Sequence, residues 1–197
     1  MTPTDLNALI GSRICHDLIS PLGAIGNGIE LLTLSGFGAA PEIALISESV
    51  ENANARIRFF RIAFGTAGDA AKIGQNEVQG ILRDMYRGGR IKIDWRAEGD
   101  QSRAEVKLAF LLIQCLESAM PWGGQIRVAH HGTSWNVEGR AERIKADPRL
   151  WGLVSDAPAA SDIGASEVHF ALVGGAARQA RRNLATFRSE TQITVSF

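Results

Sequence analysis

The sequence has no excess charge of either sign, because 21 Lys and Arg residues match 21 Asp and Glu residues. It also lacks an apolar run approaching the roughly 18 residues that cross a membrane. Residues 1–5 carry no basic segment of the kind that opens a secretory signal. Without a net positive field, we expect neither nucleic acid nor a membrane as a partner, and we predict a cytoplasmic protein.

Cysteine is scarce, since only Cys15 and Cys115 occur in the chain. Two isolated thiols exclude a disulfide framework and fit a reducing compartment. Neither thiol stands at zinc-type spacing from a histidine, so no metal cofactor is expected. A thiol catalyst built from Cys15 and His16 is disfavoured, because adjacent helix positions point about 100° apart.

A long amphipathic helix is predicted near the N-terminus. At about 100° per residue, the apolar positions between Leu6 and Leu32 fall within roughly half of the helix circumference. His16 points away from the middle of this arc. Its neighbours on the outer face are small or polar: Ser12, Ser20, Gly23 and Asn27. The pattern predicts an exposed imidazole on an open docking platform, where a ring nitrogen can act as a nucleophile and carry a transferable group.

Asp17 follows the histidine directly and can accept a hydrogen bond from one ring nitrogen, which would fix the tautomer. Pro21 leaves the carbonyl of Asp17 without its helical donor, and a bend is expected there. Three glycines in the same helix, Gly23, Gly26 and Gly28, each cost about 1 kcal/mol relative to alanine. They indicate close approach of a partner helix or of a docked protein. The alternative interpretation of His16 is an ordinary solvated surface histidine.

The string His16-Asp17-Leu18, followed by Ser20-Pro21-Leu22, resembles the phosphoacceptor box in the helical hairpin of sensor histidine kinases. Residues 13–32 and 56–65 are similar, more narrowly, to the ChpT-type bacterial histidine phosphotransferases. The resemblance implies relay of a phosphoryl group through phospho-His16, between receiver-domain aspartates of a hybrid histidine kinase and of response regulators. It implies no cofactor in this chain, because Mg²⁺ is expected only in the partner receiver domain.

A second helix is predicted after a turn at residues 35–41, with Pro41 at its first position. Its apolar residues recur at steps of three and four, as in a coiled-coil seam, at Ile43, Ile46, Val50, Ala53, Ile57, Phe60 and Phe64. Phe59 and Ile62 lie off this seam. One antiparallel hairpin buries too little surface alone, so pairing of two hairpins into a four-helix bundle predicts a homodimer through residues 4–66. The alternative is a single-chain helical domain packed on the C-terminal half.

A composition break at residues 65–70 predicts two domains, a helical-hairpin domain over residues 1–70 and a second domain over residues 71–197. In the second domain the patterns predict helices at 76–86, 102–120, 141–153 and 163–181, and strands at 90–96, 126–128, 135–137, 183–188 and 192–197. Asn76, Ser102 and Asp162 are the predicted caps, with Glu105 completing a capping box. The fold class is α+β, with an α/β sandwich whose helices lie on one sheet face.

The order of these elements resembles the ATP-binding domain of sensor kinases. In that domain two Asn residues, four apart on the first helix, order Mg²⁺ and phosphate, and Gln114 and Ser118 stand at those positions here. The nearest string to the kinase Asp-x-Gly-x-Gly loop begins at Asp162 and lacks the second glycine. Because no Walker sequence or glycine-rich lid occurs elsewhere, the second domain is expected not to bind nucleotide.

The resulting hypothesis assigns His16 as the catalytic nucleophile and Asp17 as its orienting partner. Receiver docking is assigned to Ser12, Ser20, Gly23 and Asn27, with Arg13 available for phosphate charge. Two alternatives stay open. A degenerate sensor histidine kinase would phosphorylate itself from ATP, and a non-catalytic scaffold would bind receivers without phosphorylation of His16.

Overall fold

The computed structural model describes residues 3–37, 40–66, 71–155 and 163–197. The chain divides into two compact units. The first contains Met1–Thr66 and Ile81–Met85, and the second contains Ala67–Gly80 and Tyr86–Phe197. The predicted cap Asp162 lies outside the described residues.

The first unit is built on two helices. Helix α1 spans Pro3–Leu32, a π-helical turn follows over Thr33–Phe37, and helix α2 spans Pro41–Ala63. The turn contains Gly36 at φ +92°, a conformation that favours glycine. The helices run antiparallel, since Gly26 of α1 faces Val50 while Gly11 faces Phe64 at the other end of α2. The predicted helical hairpin is confirmed.

Helix α2 covers only part of the apolar arc of α1. Cys15 and Ile29 are buried, at 7% and 8% exposure, on the side that packs against α2. The neighbouring apolar side chains remain about half exposed and form what we call the open apolar strip, which consists of Ile10, Ile14, Leu18, Ile25 and Leu32. The hairpin by itself therefore leaves much of its apolar surface in contact with solvent.

The interior of α2 differs from the predicted seam. Phe59 and Ile62, which the pattern placed off the seam, are 0% and 2% exposed, whereas Phe60 is only half-buried. The end of helix α3, Ile81–Met85, belongs to this unit, and Arg58 donates a hydrogen bond to Asp84 there at 2.8 Å. The periodicity of α2 cannot show this neighbour, which lies beyond the hairpin in sequence.

By length and composition, Leu9–Gly36 could cross a membrane, with a mean hydropathy of 1.2. A segment able to cross a membrane was not expected from the sequence. Five of its apolar side chains form the open apolar strip, however, while Arg13, His16 and Asp17 occupy another side of the helix and are exposed. A helix with one apolar side and one charged side is typical of packing against another helix in water.

The second unit contains a five-stranded sheet in the order β2-β4-β5-β7-β6. Its strands are β2 Ile91–Trp95, β4 Gly124–His131, β5 Ser134–Arg140, β6 Ala185–Arg188 and β7 Gln192–Ser196. Strand β2 pairs parallel to β4, and all other pairs are antiparallel. Two short strands, β1 Lys72–Ile73 and β3 Gln101–Ser102, pair separately. The helices are α3 Gln75–Met85, α4 Arg103–Ala119, α5 Pro148–Val154 and α6 Val168–Gln179.

One face of the sheet packs against α4 and forms the core. Alternate residues of β4, β5 and β7 are fully buried: Ile126, Val128, Trp135, Val137, Ile193 and Val195. Gly139 of β5 is required there, because a Cβ would lie 2.9 Å from Leu116 Cδ2. The opposite face carries ion pairs, such as Arg127 to Asp94 at 3.1 Å. The strand alternation thus places the helices on one face, and the α+β class is confirmed.

Two predicted helices begin later than expected. The helix predicted at 141–153 begins at Pro148, where Asp147 caps it by accepting from the Arg149 N–H at 2.8 Å. The residues before it are not helical because Ala141 and Ile144 donate their N–H groups to the carbonyls of Thr191 and Glu190 instead. The helix predicted at 163–181 is a short 3₁₀ turn over Ala165–Glu167 followed by α6.

The predicted cap Asn76 is wrong, whereas Ser102 stands at the predicted cap position of α4 without the predicted side-chain hydrogen bond. Asn76 lies inside α3, which begins one residue earlier. Ser102 does precede α4, but its side chain makes no capping hydrogen bond. Glu105 does not fold back toward Ser102, because its carboxylate binds Arg182, whose Nε donates at 2.8 Å. A charged partner distant in sequence thus replaces the local capping box.

His169 on α6 is the buried histidine of the second unit, at 6% exposure. Its Nε2 lies 3.2 Å from the hydroxyl of Ser118, which itself donates to the carbonyl of Gln114. Burial lowers the pKa of His169 from 6.5 to about 4, opposed by the nearby Glu167. The ring is therefore neutral in the folded protein at neutral pH.

Because His169 is buried and neutral, we expect the folded protein to lose stability in acid. Below pH 6.5 the unfolded state binds a proton that folded His169 does not, so the stabilisation is complete above pH 6.5 and is lost as the pH falls to about 4. We expect the free energy of unfolding to fall by up to about 3 kcal/mol across this range. Urea unfolding followed by tryptophan fluorescence would measure it, because all four tryptophans lie in the second unit.

His169→Gln should flatten this pH dependence, and His131→Gln, a change at an exposed histidine, should not. An equally steep acid dependence in His169→Gln and in the wild-type protein would contradict the assignment.

Candidate functional site

His16 lies on an uninterrupted stretch of α1 and points into solvent, with 80% of its side chain exposed. The arc of apolar positions predicted this orientation. Helix α1 continues as one helix through Pro21, one turn later. The imidazole thus stands on a regular helix with its ring accessible to another molecule.

Asp17 holds the ring on one side. Its Oδ1 lies 3.2 Å from His16 Nδ1, and its Oδ2 accepts from Arg13 Nε at 2.7 Å. The hydrogen bond with His16, and then the contacts with Arg13, lower the pKa of the Asp17 carboxyl. Asp17 is therefore ionised at neutral pH, and Arg13 is paired with it rather than directed at the open side of the ring.

These contacts assign the tautomer of His16. A carboxylate accepts only, so Nδ1 carries the proton that Asp17 receives. The lone pair of the neutral imidazole is then on Nε2, and no described residue is assigned a hydrogen bond to Nε2. The assignment follows from the hydrogen-bond network rather than from an observed proton. Chemically, the arrangement is an exposed nitrogen nucleophile whose opposite ring nitrogen faces a negative charge.

The surface around His16 is open along α1. Ser20, Gly23 and Asn27 are exposed. A Cβ added at Gly23 or at Gly28 would meet no atom of the described residues within 4 Å. Gly26 differs, because a Cβ there would lie 3.8 Å from Val50 Cγ1 of α2. Of the three glycines, one accommodates the neighbouring helix and two leave free surface.

Ser12 belongs partly to the hairpin itself. Its hydroxyl accepts a hydrogen bond from the Thr66 N–H at 3.3 Å, and its side chain is half-buried. The end of α2 therefore rests on the turn of α1 that precedes His16. Sequence reasoning assigned Ser12 only to docking and gave no role to Arg61, which lies on this last turn of α2. The only sequence signal for Arg61 was its place in the motif at residues 56–65.

In the second unit, Gln114 and Ser118 occupy one side of α4, at the positions where sensor kinases carry their Asn pair. Ser118 is engaged with Gln114 and His169, and the buried Oε1 of Gln114 has no hydrogen-bond partner among the described residues. Gly164 belongs to the string that was compared with the kinase glycine loop, and it directly precedes the short 3₁₀ turn. Its N–H donates a hydrogen bond to the Glu167 carboxylate at 3.1 Å. The Ser118 hydroxyl, which is already bound within the protein, does not fit an octahedral Mg²⁺ site.

No group of three or more His, Cys, Asp or Glu side chains that could hold a metal ion occurs in the described ranges, 3–37, 40–66, 71–155 and 163–197. Both cysteines are free and buried. The candidate site is therefore the exposed turn of α1 around His16.

Comparison with known proteins gives a consistent result. A family model described as the histidine phosphotransferase C-terminal domain matches residues 75–192. Protein phosphotransferase ChpT of Brucella abortus (strain 2308) is 36% identical over 178 residues, which is 85% of this chain and 83% of that protein. A solved structure, described as a 1.7 Å structure of a bacterial phosphotransferase, is 32% identical with a TM-score of 0.72, and covers 100% of this chain and 97% of that one. The chain belongs to the ChpT-type family of bacterial histidine phosphotransferases.

Proposed function

We propose that this protein relays a phosphoryl group between receiver-domain aspartates, from a hybrid histidine kinase to response regulators, through phospho-His16. The observation that carries the proposal is the geometry of one side chain. The His16 side chain is 80% exposed, its Nδ1 lies 3.2 Å from Asp17 Oδ1, and its Nε2 has no hydrogen bond with another described residue. Membership of a phosphotransferase family supports phosphoryl transfer as the reaction.

In the first step, the Nε2 lone pair of His16 attacks the phosphorus of an aspartyl-phosphate on the donor receiver. The P–Nε2 bond forms as the P–O bond to the receiver carboxylate breaks. The imidazole becomes cationic while keeping its Nδ1 proton, and the ionised Asp17 stabilises that charge at hydrogen-bond distance. No other proton transfer is needed.

In the second step, a carboxylate oxygen of the acceptor receiver attacks the same phosphorus. The P–Nε2 bond breaks, its electron pair returns to the ring, and neutral His16 is regenerated. Charge on the transferred phosphoryl group dominates such transition states. The Mg²⁺ of the receiver would supply much of the stabilisation, and this chain needs no cofactor of its own.

Receiver docking is proposed for the exposed side of α1 around His16. Ser20, Gly23 and Asn27 are accessible there, and the missing side chain of Gly23 lets a visiting domain approach the helix closely. Ser12 and Arg13 border the same surface, although Ser12 binds Thr66 and Arg13 binds Asp17. We therefore propose that Ser12 and Arg13 support the site rather than bind phosphate directly.

The homodimer is proposed from the open apolar strip. Ile10, Ile14, Leu18 and Ile25 are each about half exposed along one side of α1. On the helix, Ile14 lies roughly 160° around from His16. A second hairpin packed on this strip would complete a four-helix bundle and leave both His16 rings facing outward.

Autophosphorylation from ATP is not part of the proposal. The Ser118 hydroxyl, which is engaged with the Gln114 carbonyl and with His169, supports the absence of a nucleotide site in the second unit. The sensor-kinase alternative would need Mg²⁺ and ATP there. The scaffold alternative needs no accessible Nε2, and the ordered His16–Asp17 pair favours chemistry over binding alone.

Phosphotransfer from a ³²P-labelled receiver tests the proposed relay directly. Wild-type protein should acquire label and pass it to a second receiver, and His16→Ala should acquire none, because it lacks the nucleophile. His131→Ala, at an exposed histidine of the second unit, is the matched control and should behave as wild type. Label on His16→Ala would disprove the relay. Label on the wild type from ATP alone would favour the sensor-kinase alternative.

Asp17→Asn tests the orienting carboxylate. The amide oxygen can still accept from Nδ1, but it no longer neutralises the imidazolium, so we expect transfer to slow by about tenfold. The rate would be measured by rapid-quench transfer at saturating receiver, with dimer formation and helical circular dichroism expected to stay unchanged. An unaltered rate would remove Asp17 from the mechanism.

Ile14→Glu tests the homodimer, because it places a charge in the open apolar strip. Sedimentation velocity at micromolar concentration should show a dimer for the wild type and mainly monomer for Ile14→Glu. Leu9→Glu makes the same kind of change at a leucine of α1 that is 46% exposed and lies outside the strip, and it should remain dimeric. A monomeric wild type would contradict the proposed assembly.

A further inference from the structure

The motif at residues 56–65 carries arginines whose chemistry the relay does not yet use. Transfer of a phosphoryl group to Nε2 of His16 brings about two negative charges to the surface of α1. The nearest cation on that helix, Arg13, is bound to Asp17 at 2.7 Å. The charge therefore needs another partner, and α2 is the element that packs beside α1.

The end of α2 is held against the turn of α1 that precedes His16. A Cβ at Gly65 would lie 2.1 Å from the Arg61 carbonyl oxygen and 3.2 Å from Ser12 Oγ, so only glycine fits this position without a shift. The Thr66 N–H bonds Ser12 Oγ, and a Cβ at Gly11 would lie 3.4 Å from the Phe64 carbonyl oxygen. The backbone of this α2 turn is therefore close-packed on α1.

Arg61 lies four residues before Gly65, on the side of α2 that meets α1. Its charge acts on the thiol of Cys15, the residue directly before His16: burial raises the pKa of that thiol, and Arg61 partly lowers it. Yet Arg61 is exposed whereas Cys15 is buried. The hairpin register, with Gly11 beside Phe64 and Gly26 beside Val50, places Arg61 at the level of Cys15, the residue before His16. Because Arg61 is exposed, it lies at the edge of the contact between the two helices.

The other two arginines of the motif have different positions. Arg58 donates to Asp84 at 2.8 Å, and Arg56 donates to Asn52 one turn earlier on α2 at 3.0 Å. About 140° of helix separates Arg56 from Arg61, so the two side chains leave α2 on different sides. Arg56 is exposed.

We propose that Arg61 binds the phosphoryl oxygens while the group is attached to His16, and so stabilises both phospho-His16 and the transition states that form and consume it. A guanidinium suits this role because it can donate two parallel hydrogen bonds to phosphate oxygens. The inference rests on the proposed phosphorylation of His16. The site residues predicted from the sequence all lie on α1. The inference adds Arg61, a phosphoryl-binding residue on α2.

The test uses the full chain phosphorylated by phosphoramidate, which needs no receiver. Nε2 attacks phosphorus, the P–N bond of phosphoramidate breaks, and ammonia leaves. A ³¹P NMR titration of phospho-His16 then reports the second ionisation of the phosphoryl group. A neighbouring cation favours the dianion, so Arg61→Gln should raise the midpoint by about half a pH unit or more. Arg56→Gln, the matched control, should leave it unchanged.

Transfer from a labelled receiver gives the second readout. We expect Arg61→Gln to slow transfer to His16 by about tenfold, Arg61→Lys by less, and Arg56→Gln by less than about twofold. Arg61→Lys keeps the charge, so it tests the inference even where Arg61→Gln does not fold.

Unchanged rate and midpoint in Arg61→Gln would overturn the inference while leaving the relay intact. Slower transfer in both Arg61 variants without a shift of the ³¹P midpoint would also overturn it, because that pattern indicates a structural role. Label on His16→Ala would instead defeat the relay itself, whatever Arg61 does.

Discussion

The incomplete cover that α2 gives to α1 is the constraint on which the rest of the first unit depends. The side of α1 that contains Cys15 and Ile29 is buried against α2, and an adjoining apolar side stays half exposed. The remaining side is polar and carries His16, Asp17 and Arg13. A helix with three different sides can be anchored in its own hairpin, offer a surface for assembly and present a reactive ring at the same time. Each of these uses takes a different part of the circumference.

The second unit differs from the first, because its own sheet and helices bury its apolar core. Helix α4 is buried along most of its length against the sheet. Where a kinase would bind Mg²⁺ and phosphate, Ser118 contacts the neutral, buried His169 and the amide oxygen of Gln114 lacks a partner. In the proposed mechanism, the charged groups that take part in transfer lie around His16 on the first unit. The metal ion belongs to the receiver domain.

Local patterns failed where a residue found a better partner far away in sequence. Ser102 and Glu105 have the spacing of a capping box, yet Glu105 binds Arg182, and a charge-assisted hydrogen bond outweighs a neutral cap. Residues before Pro148 have a helical pattern, but their N–H groups bond to carbonyls at residues 190 and 191. Phe59 lies off the helical seam and is nevertheless fully buried. In each case the competing partner is invisible in a window of neighbouring residues.

The sequence by itself determined the hairpin, the outward direction of His16, its contact with Asp17 and the alternating strands of the sheet. These features depend on periods of 3.6 and 2 residues and on neighbours within one helical turn, which the chain carries locally. Only the tertiary structure decided that Gly65 seats the end of α2 beside Ser12, and that the register of the hairpin brings Arg61 to the level of Cys15, the residue before His16. Those outcomes depend on how the end of α2 packs against α1. Neither helix alone contains that information.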